Sequence, residues 1–241
     1  MNKSLKLMLN ILLGTILIYC TYQISTKLID YKKSETLYKE VEEIKSTNKN
    51  ENESYKKLKD LNNDYKLWIE IENTNINYPV VQSTDNFYYL QKNFLKKNSD
   101  SGTIFLDYRS NYKNDFNTII YGHNMKNQKL FNNLEKFKDK NFFNENNQIH
   151  ISDEKNKYTY EVFSISIVDG NSDASHHYSI NKSKDKSSIF NYTQNIMENS
   201  LLKKDITITK EDKLLTLVTC SYEKKDARTI IHGKLIPQEE L

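Results

Sequence analysis

The segment from Leu7 to Thr26 carries no charged residue, and it limits the possible folds more than any other part of this 241-residue sequence. At about 1.5 Å per residue, a helix over this segment crosses the roughly 30 Å hydrocarbon core of a bilayer. A cleaved signal peptide is the alternative, but no small-x-small site closes the segment, and the bulky Tyr19 precedes Cys20 where a lipoprotein signal has a small residue. We therefore predict an uncleaved signal anchor over residues 7–26, after a short tail at residues 1–6.

The charges of the chain are nearly balanced, with 35 Lys and Arg against 32 Asp and Glu, which gives a formal net charge of +3. No basic cluster is interleaved with aromatic residues, so the sequence does not predict binding to nucleic acid. Lysines flank the anchor on both sides and leave its orientation open by the positive-inside rule; they are Lys3, Lys6, Lys27, Lys32 and Lys33.

Residues 27–62 are rich in Lys, Glu and Asn, and apolar residues recur there at helical spacing. This pattern predicts helices on either side of a polar break near Ser46 to Glu53. Such helices could form a spacer that lifts the following domain off the membrane, or they could pack against that domain. The sequence leaves both arrangements open.

Residues 63–241 form the predicted globular domain, which alternates short apolar runs with polar turns. Many short strands with few helices predict a mixed, mostly β closed barrel of about eight strands. The predicted strands cover residues 67–71, 76–81, 102–107, 118–124, 148–152, 158–168, 213–220 and 228–236. Helical patterns cover residues 85–94, 128–137 and 185–202, and the last of these places a helix between the sixth and seventh strands.

A reactive-thiol pattern lies near the end of the chain. Residues 214–219 read as a buried strand that ends at Cys220, and Arg228 begins the next apolar run. Acyl transfer by a thiol needs this nucleophile and a fixed cationic donor for the developing oxyanion. Cys20 lies in the apolar segment, so Cys220 has no disulfide partner, and a lone thiol of this kind indicates reactivity. A buried, inert Cys is the alternative.

A base is the third group that this chemistry needs, and the candidates are His123, His150, His176, His177 and His232. His232 lies four residues beyond Arg228 on one strand, about 13 Å away, so the two side chains cannot easily meet at one thiol. His123 ends a predicted strand beside Gly122, where backbone can approach a site closely. A structural role remains the ordinary alternative for any single His.

Motifs spread over residues 60–236 resemble those of class B sortases, cysteine transpeptidases of Gram-positive cell surfaces. The sequence Thr-Leu-Val-Thr-Cys at residues 216–220 matches the cysteine motif of the family, and Asp-Ala-Arg at residues 226–228 matches its arginine motif. Residues 117–125 match the histidine segment, and residues 68–82 and 101–109 match an upstream block. The resemblance implies that His123, Cys220 and Arg228 are the catalytic three.

The resemblance also implies a reaction and a location. A sorting signal of Pro-x-Thr type would be cleaved after Thr through a thioester to Cys220, and the exported protein would be joined to an amine of peptidoglycan or its precursor. The catalytic domain would lie outside the cell, with a cytoplasmic tail, and would need no metal or cofactor. Substrate-groove positions implied by the family are Asn86, Leu90, Tyr121, Tyr178 and Ser221. The alternatives are a membrane-tethered cysteine protease that only hydrolyses and a non-catalytic surface binding module.

Overall fold

A closed ring of strands carries the candidate site. The computed structural model describes residues 3–47, 51–145, 148–170, 185–223 and 226–237. Within these ranges the strands are β1 (Tyr65–Ile71), β2 (Ile76–Val81), β3 (Phe105–Leu106), β4 (Asn117–Tyr121), β5 (Asn124–Met125), β6 (Lys129–Leu130), β7 (Gln148–Ser152), β8 (Lys157–Asp169), β9 (Ser200–Lys203), β10 (Leu214–Cys220) and β11 (Ala227–Leu235).

Eight of the described strands close the barrel in the order β11, β10, β4, β3, β2, β1, β7 and β8, because β8 also pairs with β11. The pairs β2–β3 and β4–β10 are parallel and the other pairs in the ring are antiparallel. The predicted mixed barrel is therefore confirmed. Strand β10 lies between β11, which follows it in the chain, and β4, which is distant in sequence, so the ends of these three strands lie side by side.

Among the described residues the helices are α1 (Lys3–Thr47), α2 (Glu51–Leu61), α3 (Lys140–Glu145) and α4 (Lys186–Glu198), with 3₁₀ helices at Tyr88–Leu90 and Phe131–Lys138. The first part of α1 has the length and composition of a membrane span, with a mean hydropathy of 1.7 over 18 residues and none of that window buried. The second part packs on the barrel, because Tyr38 and Val41 of α1 and Leu58 of α2 belong to the main hydrophobic core. Of the two arrangements open for residues 27–62, the structure has the packed one.

The predicted helix over residues 185–202 is too long. Helix α4 ends at Glu198, and residues 200–203 form strand β9 on β8. Strand β7 pairs with β8 only as far as Glu161, so the same edge of β8 is open beyond that point and offers backbone hydrogen-bond partners to β9.

Smaller differences occur where local turns interrupt the predicted elements. The helical prediction over residues 85–94 reduces to the 3₁₀ helix at Tyr88–Leu90, and the strand over residues 102–107 reduces to β3. Residues 131–138 form a 3₁₀ helix, and its predicted apolar face is buried, with Phe131, Leu134 and Phe137 fully enclosed.

Candidate active site

Cys220 and Arg228 are direct cross-strand partners at the ends of β10 and β11. Residues directly opposite each other in an antiparallel pair project their side chains from the same face. Both residues are half-buried, so their side chains are held by the strands yet remain accessible. The predicted neighbouring positions of the thiol and the arginine are therefore confirmed for the backbone.

His123 lies in the segment that follows β4, next to the segment that carries Cys220. Tyr121 pairs with Val218 in the parallel ladder, and His123 and Cys220 each follow two residues later. The Gly122 N–H donates to Val218 O at 3.1 Å, and Thr219 Oγ1 donates to Gly122 O at 2.7 Å. These hydrogen bonds continue the contact between the two segments beyond the end of β4. They therefore place His123 at the end of the barrel that carries Cys220.

The His123 ring is held between two backbone segments. Its Nε2 atom lies 2.8 Å from Leu90 O. A carbonyl oxygen can only accept, so Nε2 donates the proton of this hydrogen bond, and Nδ1 is the ring nitrogen left to exchange a proton with other groups. Gly102 has a φ of +62°, and a Cβ there would lie 3.0 Å from His123 Cδ2 and 2.8 Å from Leu90 O. Only glycine allows this close approach.

The Arg228 guanidinium is fixed by its own loop. Its Nη1 atom donates to Asp226 O and Ala227 O, both at 3.1 Å. Gly170 lies against the same loop, since its N–H donates to Asp226 O at 2.8 Å and a Cβ there would lie 3.3 Å from Arg228 Cζ. The cation is thus held beside the end of β10 by backbone contacts at one edge of its planar fork.

Of the residues proposed for the substrate groove, Asn86 and Tyr121 meet at the buried Asp107. Asn86 Nδ2 and Tyr121 Oη donate to Asp107 Oδ2 at 3.0 and 3.1 Å. Arg109 binds the same carboxylate with two nitrogens at 2.7 and 2.9 Å. Burial alone would raise the pKa of Asp107, but the hydrogen bonds from Arg109 and Asn86 hold that pKa below its ordinary value.

The remaining groove candidates have different surroundings. Leu90 supplies the carbonyl to His123, and Ser221 is 6% exposed with its hydroxyl 3.3 Å from Lys138 Nζ. Tyr178 and the histidines at positions 176 and 177 lie outside the described residues.

The other described histidines lie away from Cys220. His232 is 1% exposed and packs against the rings of Phe163 and Tyr192. His150 lies on β7 with its Nε2 atom 3.6 Å from a Glu72 carboxylate oxygen. Among the residues that the structure describes, no group of three or more His, Cys, Asp or Glu side chains could hold a metal ion.

Sequence reasoning missed several groups around the site. They lie next to the proposed catalytic residues or to the segments that carry them; they are Tyr38, Gly102, Asn124, Glu135 and Lys138. The position of Asn124 directly after His123 was the one visible signal, since this polar residue ends the predicted strand over residues 118–124.

A family model for the sortase domain matches residues 69–236, which is more than half of the chain. The chain therefore belongs to the sortase family, as its barrel and its adjacent Cys, Arg and His positions indicate.

The relatives narrow this assignment to class B. The chain is 30% identical over 246 aligned residues to sortase B of Listeria monocytogenes, across 98% of this chain and 97% of the relative. Sortase B of Clostridium perfringens has a TM-score of 0.72 and 39% identity over 76% of this chain and 99% of its own. Sortase B of Bacillus anthracis has a TM-score of 0.78 and 31% identity over 88% of this chain and 100% of its own. These similarities place the chain among the class B sortases, in agreement with its motifs.

Proposed function

We propose that this sortase cleaves a sorting signal of Pro-x-Thr type after Thr and transfers the new acyl group to an amine of peptidoglycan or its precursor. The observation that carries the proposal is the cross-strand pair of Cys220 and Arg228, with His123 on the adjoining chain. A thiol, a fixed cation and an imidazole at neighbouring strand ends are the groups that acyl transfer requires.

In the first half-reaction the thiol proton of Cys220 passes to Nδ1 of His123, and the sulfur attacks the carbonyl carbon of the signal threonine. The carbonyl oxygen becomes an oxyanion, which accepts hydrogen bonds from Arg228. The carbon–nitrogen bond then breaks as His123 donates a proton to the leaving amine, and a thioester to Cys220 remains.

In the second half-reaction an amine attacks the thioester carbon. His123 takes the proton from the attacking nitrogen, the carbon–sulfur bond breaks, and Cys220 is released. Because Nε2 of His123 faces Leu90 O, Nδ1 is the nitrogen that would exchange the proton in both steps.

The substrate would lie along the face that carries Asn86, Leu90, Tyr121, Tyr178 and Ser221. Asn86 and Tyr121 would act chiefly through the Asp107 cluster that fixes this wall. The helix over residues 7–26 would anchor the enzyme, with the domain outside the membrane, where exported substrates and wall precursors meet.

Transfer can be tested with the full chain in detergent micelles. Peptides with a Pro-x-Thr core would be incubated with and without an amine acceptor, and the products identified by mass spectrometry. Transfer to the amine is expected. Hydrolysis alone would favour the protease alternative, and no cleavage of any Pro-x-Thr peptide would favour the binding module. A Cys220→Ala variant is the matched control.

A further inference from the structure

Each proposed catalytic residue is followed directly by a buried polar residue. Asn124 follows His123, Ser221 follows Cys220, and Thr229 follows Arg228. All three followers are at most 6% exposed, so their polar groups need partners inside the protein.

One carboxylate connects these three positions. Glu135 Oε1 accepts from Asn124 Nδ2 at 3.2 Å and from Thr229 Oγ1 at 3.0 Å. Its other oxygen accepts from Lys138 Nζ at 2.5 Å, and Lys138 also donates to Ser221 Oγ at 3.3 Å. Glu135 therefore reaches the followers of His123 and Arg228 directly and the follower of Cys220 through Lys138.

Asn124 extends the connection to the nucleophile itself. Its Nδ2 atom also donates to Cys220 O at 2.8 Å, and its Oδ1 atom accepts from Asn132 Nδ2 at 2.6 Å. The Asn124 amide is thus oriented from both sides, and it couples the Glu135 carboxylate to the backbone of Cys220.

The element that carries Glu135 is packed into the core. Glu135 lies on the 3₁₀ helix at 131–138, whose other side buries Phe131, Leu134 and Phe137 in the core. The Phe131 N–H donates to His123 O at 3.0 Å, so this helix also contacts the histidine chain directly. A group fixed on such a helix can set the relative positions of the segments that bind it.

We propose that Glu135 is a positioning residue. It holds the segments that carry His123, Cys220 and Arg228 in their relative alignment. This role deepens the transpeptidase function proposed above and rests on it. Side-chain exposure of 30% for Glu135 and 17% for Lys138 means that the pair is partly shielded from water, unlike an ordinary surface ion pair.

Replacement of Glu135 by Gln would break the network although the shape is kept. A carboxylate offers acceptors on both oxygens, whereas a glutamine amide offers one oxygen and one donating nitrogen. The glutamine oxygen can accept hydrogen bonds either from Asn124 and Thr229 or from Lys138, but not from both groups. In either orientation of the amide, one hydrogen-bonded connection to the segments that carry His123, Cys220 and Arg228 is therefore lost.

The test compares Glu135→Gln with the parent full chain in micelles, both in a Cys20→Ser background so that Cys220 is the one thiol. Loss of alignment is expected to lower kcat about tenfold to a hundredfold with KM nearly unchanged. The rate of Cys220 alkylation by iodoacetamide should rise, because the segment that carries the thiol is less tightly held. Unfolding temperatures show that both proteins are folded during the assay.

Glu161→Gln is the matched control, since Glu161 also pairs with a lysine, Lys204, at 3.1 Å but lies on β8 outside this network. It should leave kcat and the alkylation rate unchanged. Thr229→Val removes one arm of the network at nearly constant shape. A double variant of Glu135→Gln and Thr229→Val should have a kcat close to the lower of the two single variants, because both changes disable one unit.

The proposal would be overturned if Glu135→Gln lowered only the unfolding temperature while kcat and the alkylation rate of the folded enzyme stayed at parent values. Additive losses in the double variant would also overturn it. The alkylation rate needs no substrate, so a parent enzyme that fails to transfer peptides would count against the proposed function and leave the Glu135 measurement intact.

Discussion

Cys220 and Arg228 stand directly opposite each other at the ends of β10 and β11, while Arg228 Nη1 donates to the carbonyl oxygens of Asp226 and Ala227. The strand pairing fixes the distance between the two backbones, and the loop fixes one edge of the guanidinium. Shape as well as charge should therefore matter at position 228.

Arg228→Lys keeps the positive charge but loses the planar fork, so it should lower kcat by about 10² or more, the loss expected for one oxyanion donor. KM for the peptide should change little, because the donor acts mainly in the transition state. Steady-state kinetics measure both constants. Arg228→Ala should be at least as damaging, and a lysine variant with nearly normal turnover would contradict the donor role.

His123→Ala should abolish turnover because it removes the proposed acid and base. His232→Ala should keep most of the turnover of the folded enzyme but lower its stability, since His232 is 1% exposed among aromatic rings. Peptide cleavage and thermal unfolding would be measured for both. His150→Ala, at a half-buried position on β7, is the control with no expected change. The opposite ranking of His123 and His232 would mean that the wrong base was chosen.

Tyr38 connects the anchor helix to the His123 site and offers a separate test. Its hydroxyl donates to Gly102 O at 2.9 Å, and burial raises its pKa well above the usual range, so the hydroxyl stays protonated. Tyr38→Phe should lower kcat roughly tenfold, about the value of one hydrogen bond, because the Gly102 segment packs on the His123 ring. Tyr31→Phe, on the same helix, is the matched control. Equal kcat values for the two variants would show that this contact does not support catalysis.

Asp107→Asn should lower the free energy of unfolding at pH 7 by about 1–3 kcal/mol, because Arg109 loses its charged partner. The pKa of Asp107 is below its ordinary value in the folded protein, so its carboxylate stabilises the fold above the ordinary pKa of about 4. That contribution is lost as the pH falls through the lowered pKa. Urea unfolding from neutral pH downward should show the two proteins converging in acid, and a gap that is independent of pH would contradict this account.

The strands around the site could be predicted from the sequence because each strand is marked by an apolar run within its own few residues. The apolar run before Cys220 and the one after Arg228 each fill one strand, and the short polar loop between them leaves antiparallel pairing as the simple connection. The motifs then indicated which thiol, arginine and histidine to consider.

The supporting contacts could not be predicted in this way, because they join residues far apart in the chain. Glu135 and Thr229 are separated by 94 positions, Asn124 and Cys220 by 96, and Tyr38 and Gly102 by 64. The spacing of apolar residues within one segment gives no information about its contacts with a distant segment. Strand β9 was missed for a similar reason, since its partner edge on β8 exists only in the folded barrel.

The formation of a thioester on Cys220 tests the central claim most directly. The full chain in micelles, carrying Cys20→Ser, would be mixed with a Pro-x-Thr peptide without an acceptor amine and analysed by intact-protein mass spectrometry. We expect a mass increase equal to the peptide fragment that ends in Thr, located at Cys220 and absent in Cys220→Ala. Addition of an amine should remove this mass and release the joined product. Cleavage and transfer at parent rates in Cys220→Ala would contradict it.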